Sequence, residues 1–342
     1  MDVIDLRKWR PLSEVVPSRQ RAFLALLAPL GALYGAGVGL WRWLPARPVR
    51  LGVPVVSVGS IMVGGTGKTP ISMLVARWLL DSGRRVCIIS RGYRRKSGRS
   101  PLVVSDGRSL LVGIAESGDE PYLMAERLPG VMVVVGRDRV EAAQHALRVF
   151  KPEVFVLDDG FQARKLAKDA EIVTLDSEAI RSRQAMLPVG RMREGWSALR
   201  RGHLVVVLLG ANDPVPDASW LTRFTSGKVC WASRGEARIF DAEGKPVQPE
   251  MAKKAACLLV SGVAAPAGFE RTCLLAGIDA RASVRFDDHH WYDDGDAARI
   301  SDMMAACGCT RLVTTEKDSP KLPGSLKSLA WIVRADVALK DG

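Results

Sequence analysis

The stretch Val63-Gly64-Gly65-Thr66-Gly67-Lys68-Thr69-Pro70 constrains this chain more than any other. Before it runs Val53-Pro54-Val55-Val56-Ser57-Val58, with the character of a buried strand. After it, Ile71, Met73, Leu74, Val75, Trp78, Leu79 and Leu80 make an apolar, helix-forming run. Strand, glycine loop and helix in that order are what a phosphate-binding loop requires. Glycines leave no Cβ between the backbone N–H groups and an anion. The helix N-terminus adds free donors and partial positive charge. Residues Met62, Val63, Gly64, Gly65, Thr66, Gly67, Lys68 and Thr69 are then the nucleotide-binding segment. Lys68 reaches the β- and γ-phosphates of ATP, and the Thr69 hydroxyl holds Mg²⁺. The pattern G-x-x-x-x-G-K-[ST] is met except at its first position, where Met62 stands; the nearest earlier glycine is Gly59. The plainer reading is a glycine-rich turn ahead of an ordinary helix, so other elements must decide.

Val154-Phe155-Val156-Leu157-Asp158-Asp159-Gly160-Phe161-Gln162 is the second strong signal. An apolar strand ending in Asp supplies the carboxylate that holds Mg²⁺ beside the phosphates. The doublet permits two jobs, one on the metal and one on water or substrate. With the glycine loop it specifies a P-loop nucleotide fold. Other strands end in chemistry too, and ligands of open α/β sheets gather at strand carboxyl ends. Arg85 to Ser90 leads into Arg91-Gly92-Tyr93-Arg94-Arg95-Lys96, either a holder of an anionic substrate group or a solvated charge run. Gly118-Asp119-Glu120-Pro121 opens a helix, either as an ordinary acidic first turn or as a carboxylate facing the crevice. Val131 to Val135 runs into Gly136-Arg137-Asp138-Arg139, and Leu187 to Glu194 is a loop of alternating charge that includes Arg193.

A net charge of +12 over 342 residues points to an acidic partner: a nucleotide, a nucleic acid or an anionic membrane. Aromatic residues are only 6% and form no stacking series, and no RNP or zinc-finger pattern occurs, which argues against nucleic acid. The six cysteines form no C-x-x-C pair, so zinc is disfavoured and reduced thiols are the default. No charged residue occurs from Ala22 to Trp41, and Arg42, Arg47 and Arg50 follow. That segment reads as an interfacial helix, as a buried core helix, or as a spanning helix interrupted by Pro29 and several glycines. Residues 228–247 read as a β-hairpin turning at Asp241-Ala242-Glu243-Gly244, a connector between two domains. Beyond it, strands at 257–260, 281–286 and 311–314 alternate with helices at 266–276 and 295–306. Asp287-Asp288-His289-His290 follows the second of these strands.

Taken together, these residues resemble the tetraacyldisaccharide 4'-kinase (lipid A 4'-kinase) family. The matching pieces are Val63 to Pro70, Ser90-Arg-Gly-Tyr93, Gly118-Asp-Glu-Pro121, Leu157-Asp-Asp-Gly-Phe-Gln162, Leu187-Pro-x-Gly with Arg193-Glu194, Phe286-x-Asp-His289 and Thr314-Thr-Glu-Lys-Asp318. The missing first glycine is the family's habit; Gly59-Ser60, where Gly-Asn is expected, is a departure. The resemblance implies an α/β fold with a P-loop NTPase-like, mainly parallel sheet and a second, smaller α/β domain joined by the hairpin. Its parts are a membrane-associating segment 1–44, a kinase domain 45–210, a connector 211–250 and a C-terminal domain 251–342. It implies ATP- and Mg²⁺-dependent phosphorylation of the 4'-hydroxyl of an acylated glucosamine disaccharide 1-phosphate, at the cytoplasmic face of the inner membrane. It assigns Lys68 to the phosphates, Thr69 and Asp158 to Mg²⁺, and Asp119 with His289 to a proton-accepting dyad, with Asp159 as a competing base. Arg91, Arg94, Arg139, Arg193, Glu194 and Gln162 are candidate substrate contacts. Two rival readings are a membrane-associated nucleotide-switch ATPase and a soluble small-molecule kinase whose apolar N-terminus is core. Against the first, Val63 stands where such ATPases carry a Lys, and no Asn-Lys-x-Asp occurs.

Overall fold

A computed structural model describes residues 2–4, 28–93, 95–182, 184–210 and 213–340. The strands, in chain order, are β1 (Asp2–Ile4), β2 (Val55–Gly59), β3 (Val86–Ser90), β4 (Leu102–Asp106), β5 (Met132–Val135), β6 (Val154–Asp158), β7 (Ala170–Asp176), β8 (Leu204–Leu209), β9 (Lys228–Arg234), β10 (Arg238–Phe240), β11 (Ala256–Ser261), β12 (Asp279–Arg285), β13 (Arg311–Thr315), β14 (Ala330–Arg334) and β15 (Val337–Lys340). The described residues fall into two units: 28–233 together with those from Val337, and Arg234–Asp336 together with the N-terminal strand.

The larger unit holds nine strands in the order β15-β9-β8-β7-β2-β6-β3-β5-β4. Strands β9, β8, β7, β2, β6, β3 and β5 run parallel, and β4 is antiparallel to β5 at one edge. All five residues of β3 and of β6 are buried, as expected for parallel strands covered on both faces. Alternation divides their side chains. Val58, Ile88 and Val156 pack with Ile71, Val75 and Ala76 of the helix Lys68–Asp81. Cys87, Ile89, Phe155 and Leu157 pack on the other face with Ala142, Ala143 and Ala146 of the helix Arg139–Phe150. The smaller unit has the order β1-β12-β11-β13-β14-β10, a parallel four-strand centre with antiparallel edges.

One expectation is corrected. The first arm of the hairpin expected over 228–247 divides between the sheets: β9 pairs in parallel with β8, whereas β10, which leads into the turn, pairs antiparallel with β14. The turn itself forms, with the Asp241 amide donating to Lys245 O (2.9 Å) and the Val247 amide to Ile239 O (2.8 Å). Both edges of β9 are taken within the larger sheet, by β8 on one side and β15 on the other, so neither is open to β10.

The apolar N-terminal stretch is described from Ala28, where a helix runs to Trp43. Only Gly31 of it is buried, while Leu33 is 68%, Leu40 70% and Trp43 90% exposed. The core-helix reading therefore fails for 28–43, since a core helix cannot leave its largest side chains in solvent; residues 22–27 lie outside the described residues. Among the described residues no helix is long and apolar enough to cross a membrane.

The glycine loop leaves the sheet under tight constraint. A Cβ on Gly59 would stand 2.5 Å from the Phe161 amide nitrogen and 2.6 Å from its Cβ, so only glycine lets β2 pass the turn that follows β6. Gly59→Ala is expected to destabilise the larger unit by roughly 1–3 kcal/mol, as overpacking does. A urea midpoint equal to that of wild type would contradict this.

Candidate active site

Because β6 lies beside β2 with Val58 opposite Asp158, the carboxylate ending β6 arrives next to the loop leaving β2. Asp158 is buried. Ser72 Oγ donates to its Oδ1 (2.9 Å), and Ser90 Oγ to its Oδ2 (3.2 Å). Burial first, then the charges of Glu120 and Asp159, raise its pKa to about 7, against the opposing pull of Ser72 and Lys68.

Asp159 takes different partners, its backbone held at a φ of 48°. Arg193 Nη1 lies 3.2 Å from its Oδ2, and Lys68 Nζ lies 4.0 Å from its Oδ1. Lys68 is folded over its own loop, donating to Gly64 O at 3.2 Å. Arg193 also donates to Gln162 Oε1 (3.2 Å), and the Gln162 amide donates to Ser60 O (2.9 Å) and Glu194 Oε1 (3.0 Å). Buried Glu194 accepts from Arg201 at 2.7 Å and pairs with Arg42 of the N-terminal helix at 3.4 Å. Burial raises the Glu194 pKa, and Arg42 and Gln162 oppose the rise. Arg139 is shifted down by burial and by Arg91, with Asp159 and Asp158 pulling the other way; these charges therefore share one field.

The loop itself divides in two. The Met62 amide donates to Ser60 Oγ (3.1 Å) and the Val63 amide to Arg191 O (2.8 Å), so both are spent on anchoring. Ser60, the residue that departs from the family pattern, is turned inward and donates to Thr174 O (2.7 Å). Gly64 and Gly65 are the loop's open crest, and Gly67 holds a φ of 81° against Leu208, where a Cβ would stand 2.7 Å away. Thr69 is buried at the start of the helix. Buried Asp119 and neighbouring Glu120 open the helix Asp119–Arg127, and Glu120 is the nearer influence on Asp158. Arg94 lies outside the described residues. His289 belongs to the smaller unit, where its amide donates to Gly262 O (3.0 Å) and its Nε2 is 3.6 Å from Asp288 Oδ2. Beside that loop is a cavity of about 550 Å³ lined by Arg285, Phe286, Asp287, Asp288, His290 and Arg299, among others.

Sequence reasoning missed Ser72, Ser90, Glu120 and Arg42. Ser72 had a signal, since it stands four residues after Lys68 on the same helix face. Ser90 and Glu120 stand inside the quoted Ser90-Arg-Gly-Tyr93 and Gly118-Asp-Glu-Pro121 motifs, yet neither those motifs nor the charge of Arg42 points to a partner, because the partners are remote in sequence.

This donor set fits a hard divalent cation. A buried carboxylate with Glu120 and Asp159 in its field is an excess of negative charge, and the Thr69 hydroxyl starts the adjacent helix. Among the described residues no cluster of three or more His, Cys, Asp or Glu side chains could hold a metal by itself.

A model of the LpxK family, tetraacyldisaccharide-1-P 4'-kinase, matches residues 23–342. The chain belongs to this family. It is 40% identical over 334 residues to the tetraacyldisaccharide 4'-kinase of Anaeromyxobacter sp. (strain K), covering 94% of this chain and 85% of that protein. It is 37% identical over 328 residues to that of Geobacter sulfurreducens, covering 94% and 91%. The crystal structure of LpxK from Aquifex aeolicus, described as an "apo" form in complex with ATP, aligns with a TM-score of 0.77 at 32% identity over 93% of this chain and 95% of that one. The activity implied by the sequence, a tetraacyldisaccharide 4'-kinase of lipid A biosynthesis, is the family's, and the nucleotide-switch and general small-molecule kinase readings give way to it.

Folding raises the Asp158 pKa from 3.8 to about 7. The folded state therefore binds a proton that the unfolded chain releases, and the group's stabilising contribution is complete below the lower value and lost as pH rises through the upper one. In ligand-free protein, Asp158→Asn should raise the thermal midpoint at pH values above this range and change it little near the lower value. A variant no more stable than wild type in mild alkali would contradict the assignment.

Proposed function

We propose that the chain transfers the γ-phosphoryl group of ATP to the 4'-hydroxyl of a tetraacylated glucosamine disaccharide 1-phosphate, with Mg²⁺, at the cytoplasmic face of the inner membrane. The observation that carries the site assignment is the register of β2 and β6, which sets the glycine loop and Asp158 side by side in a chain of this kinase family.

The amides of Gly64, Gly65, Gly67, Lys68 and Thr69 face the phosphates, and Lys68 leaves Gly64 O to neutralise the β- and γ-oxygens. Thr69 and Asp158 hold Mg²⁺, which when bound neutralises charge on the phosphate chain. Ser72 and Ser90 each donate to one Asp158 oxygen and so keep the carboxylate aimed. Asp119 accepts the proton of the 4'-hydroxyl as its oxygen bonds to the γ-phosphorus and the bond to ADP breaks. An ordinary carboxylate, with a pKa of ~3.9, is a weak base, so His289 assists by orienting it and sharing the proton. Arg193 fixes Asp159, which is then placed to order water or substrate. Arg91 and Arg139 supply positive charge for the anionic sugar, with Gln162 and Glu194 bracing Arg193.

The exposed apolar side of the helix Ala28–Trp43, with Arg47 and Arg50 just beyond it, suits a headgroup layer of anionic lipid. The acyl chains of the substrate stay in lipid while its sugars reach the protein.

Incubation with ATP, Mg²⁺ and the tetraacylated disaccharide 1-phosphate should yield a bis-phosphorylated product. Absence of product alongside an active control sinks the proposal. Lys68→Ala and Asp119→Ala should each lower turnover by roughly 10²–10⁴-fold, the range of a lost acid–base group or phosphate contact. A near-wild-type rate for Asp119→Ala removes it as the base. Replacing Leu33, Leu40 and Trp43 together by Ser should weaken co-sedimentation with anionic vesicles without altering nucleotide affinity; unchanged sedimentation rejects the membrane role of this helix.

A further inference from the structure

The run Thr314-Thr315-Glu316-Lys317-Asp318 takes no part in phosphate-loop chemistry, yet it ends in an enclosed ion pair. Asp318 Oδ1 lies 3.0 Å from Lys321 Nζ, and neither side chain has exposed surface. Asp318 Oδ2 accepts from Thr315 Oγ1 (2.7 Å) and from the Gly262 amide (3.0 Å). The Gly262 carbonyl in turn accepts from the His289 amide (3.0 Å). His289 sits at a φ of 66°, a left-handed conformation that non-glycine residues keep only where their surroundings impose it.

The surroundings here do so from two sides. Behind the loop there is no slack: a Cβ on Gly262 would meet Asp287 O and His290 Cβ at 3.1 Å and Asp318 Oδ1 at 3.3 Å. In front, His290 Nε2 lies 2.7 Å from Asp296 Oδ2, and its ring stacks on Phe286 with centroids 4.6 Å apart. A buried ion pair is a poor source of stability compared with apolar side chains of the same volume. What this pair does supply is a fixed carboxylate that grips the strand-end turn carrying Gly262.

We propose that Asp318, braced by Lys321, is a positioning residue for His289, acting through Gly262 to hold the His289 backbone in its left-handed conformation. This rests on the reading that His289 takes part in phosphoryl transfer. Asp318 needs no contact with substrate for this role. It fixes the peptide to which His289 is bonded, and so sets where the imidazole can point.

The test is a double-mutant cycle on the full chain, assayed with ATP and the disaccharide 1-phosphate. Asp318→Asn should lower kcat by roughly 10²-fold, the cost of misplacing a reacting group by about 1 Å, with KM for ATP unchanged. In a His289→Ala background the same change should cost less than about twofold, because nothing remains to be positioned. Should Asp318→Asn fail to fold with Lys321 left unpaired, Asp318→Asn with Lys321→Met removes both charges and is read in the same way. Gly262→Ala disturbs the same loop by a different route and should reproduce the pattern. An equal loss with and without His289, or an unchanged kcat, overturns the proposal. A wild-type kcat for His289→Ala would instead remove the histidine from the mechanism and leave the fault there.

Discussion

The site is built around one carboxylate set where a protein interior drives it toward its neutral form. Asp158 is buried at the end of β6, and burial and neighbouring acids both push it toward its protonated form. Ser72 and the nearby lysine oppose this only in part. Such a group is stored electrostatic stress, relieved by a cation. The sheet explains why the cost is accepted. Parallel strands buried on both faces put their carboxyl ends together, and that edge is where the backbone can offer a glycine loop and an acid within reach of one ligand.

Around that carboxylate the polar groups form a chain rather than a scatter of pairs. Lys68 approaches Asp159, Asp159 holds Arg193, Arg193 holds Gln162, and Gln162 holds Glu194. Glu194 then meets Arg42 at the end of the exposed N-terminal helix. The loop of alternating charge from Leu187 to Glu194 is thereby explained. Arg191 O anchors the Val63 amide, and Arg193 N donates to Ile61 O at 2.7 Å, so this loop braces the glycine loop with its backbone and the Asp159 carboxylate with its side chain. From Asp159 to Glu194 successive members are joined by hydrogen bonds, the condition under which a buried polar network rigidifies instead of destabilising.

The smaller unit shows the same economy. Its buried acid, Asp318, also follows the carboxyl end of a parallel strand, but it is already paired with Lys321 and has no exposed surface. One strand-end acid is left hungry for a cation and the other is satisfied. The difference lies in whether a lysine one helical turn away is buried beside it.

The sequence by itself determined the parts whose chemistry is local. Glycines 64, 65 and 67 before Lys68-Thr69, and an apolar run ending in Asp158, mark their roles because spacing along one strand, loop or helix sets them. The strands and helices of 256–315 were legible for the same reason. Tertiary structure decided whatever depended on a partner distant in sequence. Ser72 and Ser90 are unremarkable serines until β3, β6 and the helix Lys68–Asp81 converge on Asp158. The stretch Lys228–Arg234 reads as a strand in any context, and only its register with β8 assigns it to the larger sheet instead of a hairpin. The apolar residues of 28–43 suit a core or a membrane surface equally well, because hydrophobicity is a property of the side chain and burial is a property of its neighbours. Only the fold leaves Leu33, Leu40 and Trp43 in the open while drawing Arg42, within the same turn, onto a buried glutamate.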